Sequence, residues 1–127
     1  MSLSDCTVNA SVAVSDMTRA RAFYEDKLSL SAETEQADGS RLYGCGGTTV
    51  LHVYPAPDSA GKTAGTIATW HTADLEPLVD ELSARGVTFE HYDDPPRKTN
   101  SKGIQEIPDG KVAWLRDLDG NTFAIEQ

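Results

Sequence analysis

The chain of 127 residues carries three histidines, His52, His71 and His91, the side chains best suited to exchange a proton near neutral pH. His52 lies between Leu51 and Val53 in an apolar-alternating run, so strand geometry turns His52 and Tyr54 to one face and the two aliphatic residues to the other. On that face the imidazole reads in two ways: as a general base or ligand-hydrogen-bonding group, which makes His52 the candidate catalytic residue, or as a hydrogen-bonded wall residue without chemical duty. No carboxylate partner is visible in sequence to settle its tautomer. His91 and Tyr92 open a second polar stretch, Asp93-Asp94-Pro95-Pro96-Arg97-Lys98. It reads either as solvated loop or as part of a lid, in which Arg97 and Lys98 would meet an anionic group and Asp93 and Asp94 a cationic one.

The elements that must carry these residues are organised by an internal repeat. Displacing the sequence by 58 positions lays Asn9–Met17 over Ile67–Leu75, and each run is an alternating strand that stops at an aspartate. One face of the first strand is apolar (Ala10, Val12, Val14), as is the matching face of its repeat (Ala68, Trp70, Thr72). The opposite faces are small, polar or mixed: Asn9, Ser11 and Ala13, then Ile67, Thr69 and His71. Asp16 and Asp74 are placed as helix N-caps whose carboxylates accept from backbone N–H groups. Core stripes follow, Met17, Ala20, Tyr24 and Leu28 in the first helix and Leu75, Leu78, Val79 and Leu82 in the second. Pro77 suits a first turn, and Gly86 a helix end.

Three short strands are expected after each helix: about 30–35, 41–45 and 48–54, then 88–92, 111–116 and 122–126. Two βαβββ modules result, an α+β arrangement, with module 1 at about 5–55, a Pro- and Gly-rich linker at about 55–65, and module 2 at about 66–127. The loop 93–109 is long enough to suggest a purpose such as a lid.

Composition bounds the function. The length suits one domain, 39% hydrophobic and 24% charged residues are ordinary, and no apolar run approaches a membrane span. A net charge of −9 disfavours nucleic acid and anionic membranes as partners. The acidity reads either as solubility or as an acidic groove for a cationic ligand. Met1-Ser2-Leu3-Ser4-Asp5 lacks the basic and apolar parts of a secretory leader, and the expected location is cytoplasmic. Cys6 and Cys45 form no metal or disulfide pattern and are expected to be buried free thiols.

Paired βαβββ units, a strand–Asp–helix start containing Phe23-Tyr24, and the closing turn Asp117-Leu118-Asp119-Gly120-Asn121 together resemble the glyoxalase/bleomycin-resistance/dioxygenase group, the vicinal oxygen chelate superfamily, across nearly the whole chain. Two departures stand out: the helix-ending Leu-Gly of the family is Leu28-Ser29, and Leu118 replaces the turn proline. The resemblance implies two curled sheets around an open cavity, helices outside, a small-molecule ligand inside, and a homodimer.

It also implies metal ligands at four equivalent strand positions, which here are Asn9, His52, Ile67 and Ala124. Ile67 and Ala124 cannot coordinate, so no metal or other cofactor is expected. The alternative is a divalent cation in a displaced site built from His52, His71 and Glu126, serving a lyase, isomerase or dioxygenase of glyoxalase type. The expected ligand-binding set is Asn9, Ser11, His52, Tyr54, Thr69, His71, Trp114 and Glu126. Bleomycin-like sequestration is the leading expectation for function.

Overall fold

Alternation makes the first strand. In the computed structural model, which describes residues 1–127, β1 (Ala10–Val14) buries Val12 and Val14 and leaves Ser11 exposed. Asp16 ends it and caps a helix, its Oδ1 accepting from Thr18 N–H at 2.8 Å and Arg19 N–H at 3.3 Å. Helix α1 (Met17–Arg21) widens into a π-helical turn, Ala22–Lys27, in which Leu28 N–H donates to the Phe23 carbonyl. Phe23 is thereby buried beside Ala20 and Tyr24, giving a broader core face than three- and four-residue spacing predicts. Ser29 follows at φ +59°, in the left-handed region where a glycine would cost less.

Strands β2 (Ala32–Glu35), β3 (Arg41–Gly44) and β4 (Val50–Pro55) complete the first sheet in the order β1-β4-β3-β2. The second half repeats this plan with β5 (Thr66–His71), α2 (Leu75–Ala84) and three closing strands. Between them, β6 (Asp93–Asp94) and β7 (Arg97–Lys98) form a small hairpin of their own. The closing strands are β8 (Ile104–Ile107), β9 (Gly110–Arg116) and β10 (Thr122–Glu126), and the sheet runs β5-β10-β9-β8. Both sheets begin with a parallel pair. Ser11 lies opposite His52 in one, and Thr69 opposite Ala124 in the other, so the repeat seen in sequence is also a repeat of register.

Three expectations need correction. The run 88–92 is not a strand: Phe89 alone bridges to Leu115, and β8 lies inside the stretch expected to be loop. Asp74 occupies the N-cap of α2, but its carboxylate accepts nothing there; Gln127 Oε1 accepts from Leu75 N–H at 2.8 Å, and Thr72 Oγ1 from Asp74 N–H at 3.3 Å. Of the two free cysteines, Cys45 is half-buried while Cys6 is exposed, as are all of residues 1–9.

One core joins the halves. The helix-side residues Val12, Val53, Tyr43, Leu115 and Phe123 cluster with Tyr24, Leu75, Val79 and Leu82 from the helices. Tyr24 lies 6.0 Å from the Tyr43 ring and 6.1 Å from Phe123, thus touching both sheets. Its hydroxyl donates to Asp117 Oδ2 at 2.6 Å, in the turn before β10. Burial, and then the Asp117 charge, push the Tyr24 phenol far above its ordinary value. Asn121 of the same turn donates to the Ala13 carbonyl at 2.8 Å and accepts from Gly61 N–H at 3.1 Å. Gly61, at φ +67°, admits this approach because any side chain there would collide with the Asp119 carbonyl. No helix is long and apolar enough to cross a membrane.

Candidate concave binding site

Pleating divides each sheet into a helix face and an open face. On the open face of the first sheet, register aligns Ser11, His52 and Leu42, with Tyr54 one step along β4. Ser11 Oγ is 3.4 Å from His52 Nδ1, a long hydrogen bond, and the Tyr54 ring stacks on the imidazole at 5.3 Å and 21°. His52 Nε2 is enclosed without a hydrogen-bond partner, a state that costs about 1–3 kcal/mol unless something polar reaches it. Asp38 of the β2–β3 turn is held below the usual carboxylate range by hydrogen bonds from Ser40, with His52 a lesser cause, so the imidazole has a carboxylate nearby but not bonded to it. Asn9 precedes β1 and is exposed.

On the open face of the second sheet, Thr69, Ala124 and Trp114 align across β5, β10 and β9, and His71, Glu126 and Val112 form the next row. His71 Nδ1 lies 3.9 Å from Glu126 Oε2 in an exposed pair, so two members of the displaced site meet. His52 does not join them, and no group of three His, Cys, Asp or Glu side chains comes together to hold a metal ion. Ala124 is 3% exposed, a methyl buried in the row with Trp114. Ile67 begins the open face of β5 two residues before Thr69.

Tyr92 lies outside the expected ligand-binding set, and Arg97 was expected only as a lid residue meeting an anionic group. Tyr92 stands edge-on to Trp114 at 5.4 Å and 85°, and the Arg97 guanidinium lies 4.4 Å over the Tyr92 ring. The sequence signal was an aromatic residue five positions before an arginine in a hydrophilic loop, and only the β6–β7 turn makes them neighbours.

Two cavities lie elsewhere, on the helix side. One, of about 420 Å³, follows the seam where β1 meets β5 and is walled by Val8, Ala10, Cys45, Leu51, Ala68 and Trp70. The other, of about 240 Å³, lies under α2 among Leu28, Leu30, Leu78, Leu82, Leu115 and Ile125. Thr69 and His71 are the only members of the expected set that reach either.

A family model described as the glyoxalase/bleomycin resistance protein/dioxygenase superfamily matches residues 7–125. The chain belongs to this superfamily. Among solved structures, it is similar to TnmS3, described as an antibiotic binding protein from Streptomyces sp. CB03234, with 25% identity, a TM-score of 0.70 and 95% of each chain covered. A glyoxalase/bleomycin resistance protein from the same strain is 28% identical with a TM-score of 0.65, covering 94% of this chain and 100% of its own. Lactoylglutathione lyase from Agrobacterium tumefaciens shares the fold at 18% identity and a TM-score of 0.65, covering 95% and 92% of the two chains. No curated protein matches the chain. At the four positions where the resemblance implies metal ligands, this member of the glyoxalase/bleomycin resistance superfamily has an amide (Asn9), an imidazole (His52) and two hydrocarbon side chains (Ile67 and Ala124), a donor set that does not suit a divalent cation.

Proposed function

We propose that the protein binds a small organic molecule of the antibiotic kind on its open sheet faces, without the metal centre of its superfamily, and that it does so as a cytoplasmic homodimer. The carrying observation is that each open face offers a stacked or edge-on aromatic pair, His52 with Tyr54 and Trp114 with Tyr92. Such surfaces hold a ligand by stacking and a few hydrogen bonds. His52 Nε2, without a protein partner, is ready for one of them. Likeness to an antibiotic binding protein supports the same reading.

What one chain leaves open supports the dimer. Its two sheets are separate, and an apolar groove with exposed Val8 at its edge runs along their seam. A second copy related by two-fold symmetry covers such a surface with its own. Cys6 and Cys45 as free thiols suit a reducing compartment.

A thermal-shift screen with bleomycin-type glycopeptides and aromatic antibiotics tests the binding reading. A stabilised transition is expected for at least one ligand, lost in His52→Ala or Trp114→Ala; a flat response across both classes overturns it. Elemental analysis of protein purified without chelator tests the metal reading, and stoichiometric Zn, Ni, Mn or Fe would restore the enzyme alternative. Native mass spectrometry is expected to show twice the 13.7 kDa chain mass.

A further inference from the structure

The β6–β7 hairpin is built rather than loose. Gln105 stands in register with Val112, hence on the open face of β8. Its side chain accepts from Lys98 N–H at 3.1 Å and donates to the Pro96 carbonyl at 3.3 Å. Tyr92 and Thr99 close the base of the hairpin, Tyr92 N–H donating to Thr99 Oγ1 at 2.8 Å and Thr99 N–H to the Tyr92 carbonyl at 2.9 Å. His91 lies behind them with its ring nitrogens each 3.1 Å from a carbonyl, those of Phe89 and Ser101. The hairpin is therefore lashed to the rim of the open face at both ends.

It carries two cations and two carboxylates in register, Arg97 opposite Asp94 and Lys98 opposite Asp93, and only Arg97 is laid on an aromatic ring. Seven of the eleven Lys and Arg side chains form no ion pair, and among these the Arg97 guanidinium is the one fixed over an aromatic ring, that of Tyr92. A guanidinium held by a ring face keeps its in-plane donors free, and that fork matches the two oxygens of a carboxylate, sulfonate or phosphate. The half-buried Trp114 ring lies 5.4 Å from that of Tyr92 and stands in register with the buried Ala124.

We propose that Trp114 and Arg97 together make the second open face a site for planar aromatic ligands that bear an anionic group, the indole taking the ring and the guanidinium the anion. This rests on the small-molecule reading above and adds the ligand's charge. It also runs against the whole-molecule field: at a net charge of −9, long-range electrostatics favour a cation, so a preference for an anion must be local.

Three probes of one shape and different charge separate these effects: 2-naphthoate, its neutral amide and its amidinium isostere, titrated calorimetrically into the intact protein. Naphthoate is expected to bind about tenfold more tightly than the amide, and the amidinium most weakly. Arg97→Gln is expected to erase the naphthoate advantage while leaving the amide unchanged, and Trp114→Ala to weaken all three. Equal affinities for the three probes, or a naphthoate preference that survives Arg97→Gln, overturn the proposal while leaving small-molecule binding intact. Binding of all three unaffected by Trp114→Ala overturns the placement. Absence of binding by any probe, in a protein that responds to an antibiotic in the thermal-shift screen, rejects this ligand class alone; silence in both experiments rejects the parent reading as well. Circular dichroism of both variants guards against misfolding.

Discussion

Ser29 and Tyr24 show how much a single position carries. At φ +59°, Ser29 pays a steric cost of about 1 kcal/mol that glycine escapes, and nothing in the structure uses its side chain to recover it. Ser29→Gly is accordingly expected to raise stability by up to about 1 kcal/mol, less the entropy that glycine adds to the unfolded chain, read as a higher urea midpoint at unchanged slope. Tyr24 is coupled to pH. Its phenol ionises near 10 when unfolded but keeps its proton well above that in the fold, held up by burial and then by the Asp117 charge. The stabilisation is fully present below about pH 10 and falls as pH rises beyond it, because only the unfolded chain gains by releasing the proton. Tyr24→Phe is expected to cost about 1–2 kcal/mol at neutral pH and to flatten the alkaline decline of the urea midpoint between pH 9 and 11. Some decline will persist through Tyr43, raised by burial and its hydrogen bond to Glu25.

At the scale of elements, α2 begins on a borrowed cap. Gln127 reaches Leu75 N–H from 52 residues away, so Gln127→Ala should destabilise by about 1 kcal/mol, while Asp74→Ala, whose carboxylate caps nothing, should cost less than Gln127→Ala in the same urea titration. This is also where legibility from sequence ended. Local rules found the strands with clean alternation, the Asp16 cap and the core stripes, because each depends on residues a few positions apart, while the awkward Ser29 came from the family resemblance. The Gln127 cap depends on where the chain end returns, which no local pattern encodes. Strand β8 was missed for a related reason: Ile104-Gln105-Glu106-Ile107 alternates too weakly to stand out, whereas 88–92 looks like a strand because Phe89 must be buried. In the site, parity placed Ser11, His52, Thr69 and Trp114 on open faces, since pleating is local. Arg97 was legible as a lid residue for an anionic group, but its stacking on Tyr92 was not, because the turn that brings them together is fixed by Gln105 and Thr99.

For the whole molecule, the turn 117–121 decides how the halves sit together. Asn121 is 4% exposed and uses both ends of its amide, donating to Ala13 of the first module and to Asp117 of its own turn and accepting from Gly61 of the linker. Asn121→Ala strands the Ala13 carbonyl and the Gly61 N–H, and at about 1 kcal/mol for each half-buried group the expected loss is about 2 kcal/mol. Asn121→Asp keeps the shape but removes the donor and sets a second carboxylate beside Asp117, where the amide nitrogen now lies 2.8 Å from Oδ2. At pH 7 this variant should be less stable than Asn121→Ala, because two carboxylates so placed cannot both ionise without penalty. Acidification toward pH 4 lets one of them take a proton and donate to the other, so the gap between the two variants should close. Paired urea titrations at the two pH values read this directly, since effects of acid on the rest of the protein are common to both variants. A gap that stays constant would mean that the turn relaxes to separate the carboxylates, and that Asn121 holds the modules by shape rather than by its hydrogen bonds.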